Sequence, residues 1–247
     1  FEPLLEELKK AKRFIFMEYF IIREGLFWNS ILEILEEKVK EGVDVRVMFD
    51  DMGCVATIPA DYEKRLRAKG IQCYSFNRFI PFLTLRLNNR DHRKITVIDG
   101  HTGFTGGINL SDEYINETHP YGHWKDTGIM LKGDAVWSLT VMFLQLWDYV
   151  AGVKEDFHQY APRPEDIAQV QGDGFVQPYS DSPLDREILG ENIYLNMIAR
   201  ARHSIYIVTP YLILDNEMTT ALSLAAKSGV DVRIIIPGVP DKKIVYT

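Results

Sequence analysis

A histidine and a lysine two residues apart, His92 and Lys94, begin a short apolar run in the first half of the chain. Residues two apart on a strand point to the same side of a sheet, so both side chains and Thr96 are predicted to share one face. A histidine can attack phosphorus or carry a proton, and a fixed lysine can hold an anionic oxygen beside it. The pair therefore predicts chemistry at an anionic phosphorus centre.

The residues that follow predict a β-hairpin that returns to this pair. Asp99-Gly100 lies between two strand-like runs, and both residues tolerate the positive φ that a two-residue turn requires. The second run ends at Gly106-Gly107-Ile108-Asn109, so the hairpin brings bare backbone amides and a carboxamide back beside His92. Asp99 lies at the turn and at odd spacing from His92, and it is predicted to hold the hairpin rather than to touch substrate.

The rest of the chain alternates strand and helix patterns. Apolar or β-branched runs predict strands over residues 14–22, 43–49, 71–76 and 127–131, and helical spacing predicts helices over 4–12, 27–39, 62–69 and 136–150. This alternation predicts an α/β sandwich with a largely parallel sheet. Residues 76–87 form an apolar loop just before His92, which is either a lid packed on the core or a surface that meets lipid.

The chain contains an internal repeat. Gly42-Val43-Asp44-Val45-Arg46 recurs as Gly229-Val230-Asp231-Val232-Arg233. We predict one complete repeat over residues 1–151, a polar linker over 152–174 and the opening part of a second, pseudo-symmetric repeat over 175–247. By the repeat spacing a second histidine is expected near position 279, so this chain is interpreted as an excised piece that lacks it.

Composition limits the partners. A net charge of −7 argues against a broad nucleic-acid surface, while Arg86, Arg90, Arg93 and Lys94, with His92 among them, form a local basic focus suited to a small anionic substrate. No uncharged run is long enough to span a bilayer. His119 and His123 are four apart, but Pro120 and Gly122 between them oppose a helix, so no metal site is predicted.

The pattern His92-x-Lys94-x4-Asp99, followed by Gly106-Gly107-x-Asn109, resembles the HKD motif of the phospholipase D superfamily. The flanking residues are similar to those of bacterial cardiolipin synthases, at residues 89–94, Glu113-Tyr114, Trp124-x-Asp126-Thr127 and Thr209-Pro210-Tyr211. This resemblance covers essentially the whole chain. It implies a phospholipase D-like α/β/α sandwich.

The resemblance also implies a mechanism that needs no metal or cofactor and passes through a phosphohistidine. By motif position, His92 is the nucleophile, and Lys94 acts beside it on the phosphate oxygens. Asp126 resembles the carboxylate that orients a catalytic imidazole. The implied phosphate-binding residues are Asn109, Gly106, Gly107 and Arg90.

The implied reaction joins two phosphatidylglycerol molecules and releases glycerol at a membrane surface. The full-length bacterial protein is expected to be associated with the cell membrane, through amino-terminal helices that this chain lacks. Because the leaving alkoxide needs a proton from a second histidine, the chain is predicted to be inactive alone.

Other functions use the same residues. A phospholipase D-type hydrolase would let water resolve the intermediate, a nuclease would act on DNA or RNA, and a non-catalytic module would only bind membranes. The acidic charge and the apolar loop disfavour nucleic acid, and the intact motif disfavours a non-catalytic module. The sequence leaves the oligomeric state open.

Overall fold

The computed structural model describes residues 1–78, 89–167, 170, 172, 174–181 and 187–239. The chain forms two compact units, Phe1–Pro178 and Tyr179–Thr247. The domain boundaries expected from the sequence, after residues 151 and 174, stay a prediction. Most of the apolar loop predicted at 76–87 lies outside the described residues, and both interpretations of it stay open.

Unit 1 is built on a six-stranded sheet in the order β3-β2-β1-β4-β5-β6. Its strands are β1 (Phe14–Tyr19), β2 (Asp44–Asp50), β3 (Gln72–Phe76), β4 (Ile95–Ile98), β5 (Thr102–Gly106) and β6 (Gly128–Lys132). The expectation of a largely parallel sheet is wrong. β1, β2 and β3 are parallel, whereas β4, β5 and β6 run antiparallel to their neighbours.

The change of direction has a local cause. Helical crossovers join β1 to β2 and β2 to β3, and such crossovers return the chain parallel. The Asp99-Gly100 turn instead folds β4 directly onto β5, with φ of +54° and +78° at its two residues. These positive values confirm the predicted turn at Asp99-Gly100, and the pairing of Ile98 with Thr102 leaves three residues, Asp99 to His101, in the connection.

Helices cover both faces of this sheet, which confirms the α/β/α sandwich. On one face, Trp28, Ile31 and Leu35 pack against Ile15 and Val47. On the other face a single long helix carries most of the contacts. The helices of unit 1 are α1 (Glu2–Lys10), α2 (Leu26–Lys40), α3 (Asp51–Cys54), α4 (Tyr62–Ala68), α5 (Val136–Ala151) and α6 (Pro164–Ile167), with 3₁₀ turns at Asp112–Ile115 and Phe157–Tyr160.

Helix α5 forms the second layer. Phe143 stacks on Phe16 of β1 with ring centroids 4.7 Å apart, and Trp147 packs edge-on against Tyr74 of β3. The segment predicted as a linker contributes to this layer, because Tyr160 is buried in it. Glu155 from the same segment forms an ion pair of 2.9 Å with the buried Arg46.

Unit 2 repeats the opening of unit 1. Strands β7 (Ser204–Val208) and β8 (Asp231–Ile235) are parallel, and helices α7 (Leu189–Arg200) and α8 (Asn216–Lys227) accompany them. The register is the same in both units, since Phe14 pairs with Asp44 and Ser204 pairs with Asp231. The glycine before each second strand has positive φ, as a chain leaving a helix requires. In neither unit does a described helix have the length and apolar character to cross a bilayer.

Candidate active site

The mixed sheet brings six chain segments to one end of its strands. Because β4 and β6 run opposite to β1, β2, β3 and β5, the residues before β4 and β6 meet the residues that follow the other four strands. The register shows this directly, with Glu18 opposite Ile95 and Gly106 opposite Gly128. His92 and Lys94 precede β4, and Asp126 precedes β6. The predicted motif residues around His92 therefore lie at this edge, apart from Asp99.

His92 and Lys94 are in direct contact. Lys94 Nζ lies 3.0 Å from His92 Nδ1 and donates to the His92 carbonyl oxygen at 2.6 Å. The alternation of side chains predicted for a strand extends to His92 and Lys94, although β4 begins only at Ile95. Thr96 lies on the same face and contacts the Tyr19 hydroxyl at 2.8 Å. Phe20 packs on the His92 ring with centroids 4.5 Å apart.

Lys94 is a partly dehydrated cation. Its side chain is buried, with 4% of the residue exposed, while His92 beside it is exposed. Burial lowers the pKa of Lys94 from 10.5 to about 8. Three carboxylates oppose that fall, those of Asp91, Asp126 and Asp50. A cation that has already lost most of its water attracts an incoming anion more strongly than a solvated one.

Asp126 is held rigidly at the mouth of the site. Its Oδ1 accepts from the Thr127 amide at 2.7 Å, and its Oδ2 accepts from Trp124 Nε1 at 3.2 Å. The paired glycines make room for it. A side chain at Gly107 would collide with this carboxylate, and one at Gly106 would collide with the Thr127 carbonyl oxygen. Both glycines are exposed at the same edge as His92.

Two predicted phosphate ligands are engaged with protein groups. Asn109 is 3% exposed, accepts from the Ile21 amide at 3.0 Å and donates to the Tyr114 hydroxyl at 2.8 Å. Arg90 pairs with Asp50 at 3.2 Å and donates to the carbonyl oxygen of Asn77. Both side chains brace loops around His92. Their contact with phosphate stays a prediction.

Asp99 lies at the other end of the hairpin from His92. β4 lies between them, and its four residues alone span about 13 Å. The Asp99 carboxylate accepts backbone N–H groups of Lys12, Arg13 and Phe14 at 2.8 to 2.9 Å, at the start of β1. These contacts are those of a residue that fastens the hairpin to the sheet.

Sequence reasoning missed a buried charged group beneath His92. Glu18 in β1 is fully buried, and Arg93 Nε lies 2.7 Å from its Oε1. Asp91 is also buried, and its backbone amide donates to Asp50 Oδ2 at 2.9 Å. In the sequence, the one sign of this buried group is the charged Glu18 inside the apolar run at 14–22. Asp50, which holds the Asp91 amide, also caps α3 and is fully buried.

Within the described ranges, one group of carboxylates has the spacing to hold a cation: Glu191, Asp215 and Glu217 of unit 2. It includes neither His119 nor His123. Exposed acidic groups of this kind are common without an ion, and this one carries no functional argument.

A His-x-Lys pair at the edge of a mixed α/β sandwich, with glycines and a braced carboxylate beside it, defines a phospholipase D-like domain. The family described as "Cardiolipin synthase, PLD-like domain" matches residues 4–137 and 194–246. The chain belongs to this family.

Individual relatives agree with that assignment. An uncharacterized protein of Streptococcus mutans is 52% identical over 247 residues, which cover 100% of this chain and 53% of that protein. A protein named cardiolipin synthase from Alkalihalophilus pseudofirmus is 40% identical over 244 residues, which cover 98% of this chain and 48% of that protein. The chain thus spans about half the length of these relatives.

A solved structure is similar in fold. The phosphatidylserine synthase of Haemophilus influenzae matches with a TM-score of 0.64 over 95% of this chain and 58% of that chain. The two sequences are 15% identical, so this likeness shows the fold alone.

Proposed function

We propose that this chain carries one half of a phosphatidyltransferase site that joins two phosphatidylglycerol molecules through a phosphohistidine on His92. The observation that supports this most strongly is the buried Lys94 ammonium within 3.0 Å of the exposed His92 ring. The pair offers a nucleophile and a dehydrated cation to the same phosphodiester. The names of the relatives supply the lipid class.

The proposed reaction has two displacements. His92 Nε2 attacks phosphorus, the bond from phosphorus to the glycerol oxygen breaks, and the alkoxide takes a proton from a general acid. A hydroxyl of the second phosphatidylglycerol then attacks phosphorus and gives its proton to the same group, now a general base, as the phosphorus–nitrogen bond breaks. Lys94 neutralises the non-bridging oxygens in both steps. The proposed chemistry uses no metal or organic cofactor.

Substrate binding prepares the nucleophile in this proposal. A Lys94 ammonium that donates to His92 Nδ1 leaves the proton of a neutral imidazole on Nε2, where it blocks attack. A phosphate oxygen is a stronger acceptor for Lys94 than an imidazole nitrogen. Once Lys94 turns to the phosphate, Nδ1 can carry the proton. Asp126, whose charge already acts on Lys94, is the proposed acceptor for that Nδ1–H.

The remaining motif residues receive supporting roles. We propose that Asn109 and Arg90 hold the loops that frame the phosphate, and that each has one or more further N–H donors to offer it. Gly106 and Gly107 leave their backbone open to the substrate, and Asp99 stays structural. The lipid substrate places the whole protein at the cell membrane, and we propose no nucleic-acid partner.

A test must detect the attack of His92 on phosphorus with a reagent whose leaving group needs no proton from a second histidine. Bis(p-nitrophenyl) phosphate is suitable because p-nitrophenolate departs as a stable anion without a proton donor. We expect the chain to release one equivalent of p-nitrophenolate and to keep a phosphoryl adduct, whereas His92→Gln releases none. Absence of both burst and adduct in the wild-type chain would refute the phosphohistidine.

Hydrolysis is the second candidate, and the exposure of His92, Gly106 and Gly107 favours it, since water can reach the intermediate. Phosphatidylglycerol vesicles distinguish the two outcomes. We expect the 247-residue chain alone to be inactive on them, and a chain extended through a second His-x-Lys motif to form diphosphatidylglycerol. Phosphatidic acid as the sole lipid product would establish hydrolysis instead.

A further inference from the structure

The two residues that flank His92 reach into the sheet. Arg93 Nε lies 2.7 Å from Glu18 Oε1 and 3.2 Å from Asp91 Oδ1. Asp91 Oδ1 also accepts from the Arg93 backbone amide at 3.2 Å, which closes a turn around the His92 backbone. Asp91 in turn donates its own amide to Asp50. The backbone of His92 is therefore fastened on both sides.

The charges of this group do not balance if both acids are ionised. Glu18 is fully buried and Asp91 is 5% exposed, and together they face one guanidinium. Both carboxyl oxygens of Glu18 and Oδ2 of Asp91 are buried and lack a hydrogen-bond partner among the described residues. Two ionised carboxylates in this position would leave a net buried charge, which is costly.

One proton resolves both problems. Both carboxyls contact the same Arg93 Nε, at 2.7 and 3.2 Å, so a proton held between them satisfies oxygens that are otherwise orphaned. The pKa of Glu18 is raised well above its usual 4.5, first by burial and then by the Asp91 charge, with Arg93 opposing. One proton, two carboxyls and one guanidinium give a neutral group.

We infer that Glu18 and Asp91 share a single proton and, with Arg93, form a neutral buried clamp that positions His92 for attack. This inference rests on the proposed function, because that function makes His92 the nucleophile. Neither acid touches the reacting atoms in this account, so both are positioning residues. We call this group the carboxyl clamp.

The clamp is sensitive to alkali. The charged groups that act on Glu18 are Asp91 and Arg93, and those around the latter two are Asp50, Arg90 and Lys94. Helix α5 covers this face of the sheet with apolar residues such as Leu139 and Phe143. Loss of the shared proton leaves two carboxylates against one guanidinium, and the segment that carries His92 loosens.

The shared proton is tested by Glu18→Gln, whose amide supplies a donor toward Asp91 and keeps an oxygen for Arg93. Because the folded-state pKa of Glu18 is raised, wild-type stability is fully present below pH 4.5 and falls as pH rises through the folded-state pKa. The variant cannot lose this proton. We expect the difference in urea midpoint, variant minus wild type, to increase between pH 5 and pH 9. We also expect the variant to lack an infrared band of a protonated carboxyl that the wild type shows.

Glu63→Gln is the matched control, since Glu63 is buried, accepts from the Ser75 amide at 2.8 Å and pairs with Arg78 at 2.8 Å. It should lower the midpoint over the whole pH range. If Glu18→Gln behaves like this control, its urea midpoint is lower than that of wild type by the same amount at every pH and the infrared band is unchanged. Glu18 is then an ionised partner of Arg93, and the inference of a shared proton is wrong.

Positioning is tested by Glu18→Leu with bis(p-nitrophenyl) phosphate. We expect the single-turnover rate at saturating reagent to fall about tenfold or more with little change in half-saturation, and Glu18→Gln to restore it. An unchanged rate in folded Glu18→Leu overturns the positioning role. If the wild-type chain forms no adduct, the proposed function fails, while the midpoint and infrared comparison still decides the shared proton.

Discussion

Replacing Lys94 by methionine should stabilise the fold while it abolishes the chemistry. Methionine fills a similar volume without a charge, and Lys94 lies in a buried position with 4% of its surface exposed. Its pKa falls from 10.5 to about 8. A tenfold change in a protonation equilibrium is worth about 1.4 kcal/mol, so holding the ammonium there costs about 3 kcal/mol. Losing the hydrogen bond to the His92 carbonyl returns about 1 kcal/mol of this.

The net expectation for Lys94→Met is a gain of about 2 kcal/mol in the free energy of unfolding at pH 7. Urea unfolding measures it, with Lys10→Met as the control because Lys10 is an exposed lysine paired with Glu7. The pH dependence supplies a second check. Since the folded-state pKa of Lys94 is depressed, wild-type stability rises between about pH 8 and pH 10.5, and the advantage of the variant should shrink over that window.

Two results would refute this reasoning. A variant less stable than wild type at pH 7 would show that Lys94 makes contacts worth more than its dehydration costs. An advantage that is constant up to pH 11 would show that the gain comes from packing and not from the charge. Either result would remove the argument that stability has been given up for a reactive cation at this site.

Three further predictions concern the same domain. The rate of adduct formation at His92 should fall as pH rises through about 8, because Lys94 then loses the proton with which it binds phosphate; a rate flat to pH 10 would exclude Lys94 as the phosphate cation. Gly107→Ala should displace Asp126 and lower that rate without unfolding the chain, as circular dichroism and the burst assay would show; a normal rate would contradict the close approach seen here. Asp99→Asn should lower the free energy of unfolding by about 2 kcal/mol, since an amide cannot accept from all three backbone groups. The rate of adduct formation per folded molecule should stay the same. A folded variant with no activity would assign Asp99 a role in catalysis.

Local signals in the sequence predicted the parts of the fold that depend on neighbours in the chain. The hairpin at Asp99-Gly100 follows from two residues that tolerate positive φ, and the shared face of His92 and Lys94 follows from strand periodicity. The repeat is visible because five residues recur before a strand. The mixed sheet was missed because the pairing of β1 with β4 joins residues that are far apart in sequence.

The carboxyl clamp shows why buried charge resists sequence reasoning. Glu18 lies in a run that otherwise indicates a core strand, and no residue within four positions of it carries a positive charge. Its partner Arg93 follows seventy-odd residues later, and Asp50, which holds Asp91, belongs to a third strand. Only the assembled sheet brings these groups together. The same holds for the protein contacts of Asn109, whose carboxamide bridges Ile21 and Tyr114.

The central claim is that His92 becomes covalently phosphorylated, and peptide mapping of the adduct tests it most directly. The wild-type chain is treated with bis(p-nitrophenyl) phosphate, digested at alkaline pH, where phosphohistidine survives, and analysed by mass spectrometry, with His101→Gln as the control histidine variant. We expect one phosphoryl group on His92 in both proteins and none after His92→Gln. An adduct on another residue, or one that persists in His92→Gln, would contradict it.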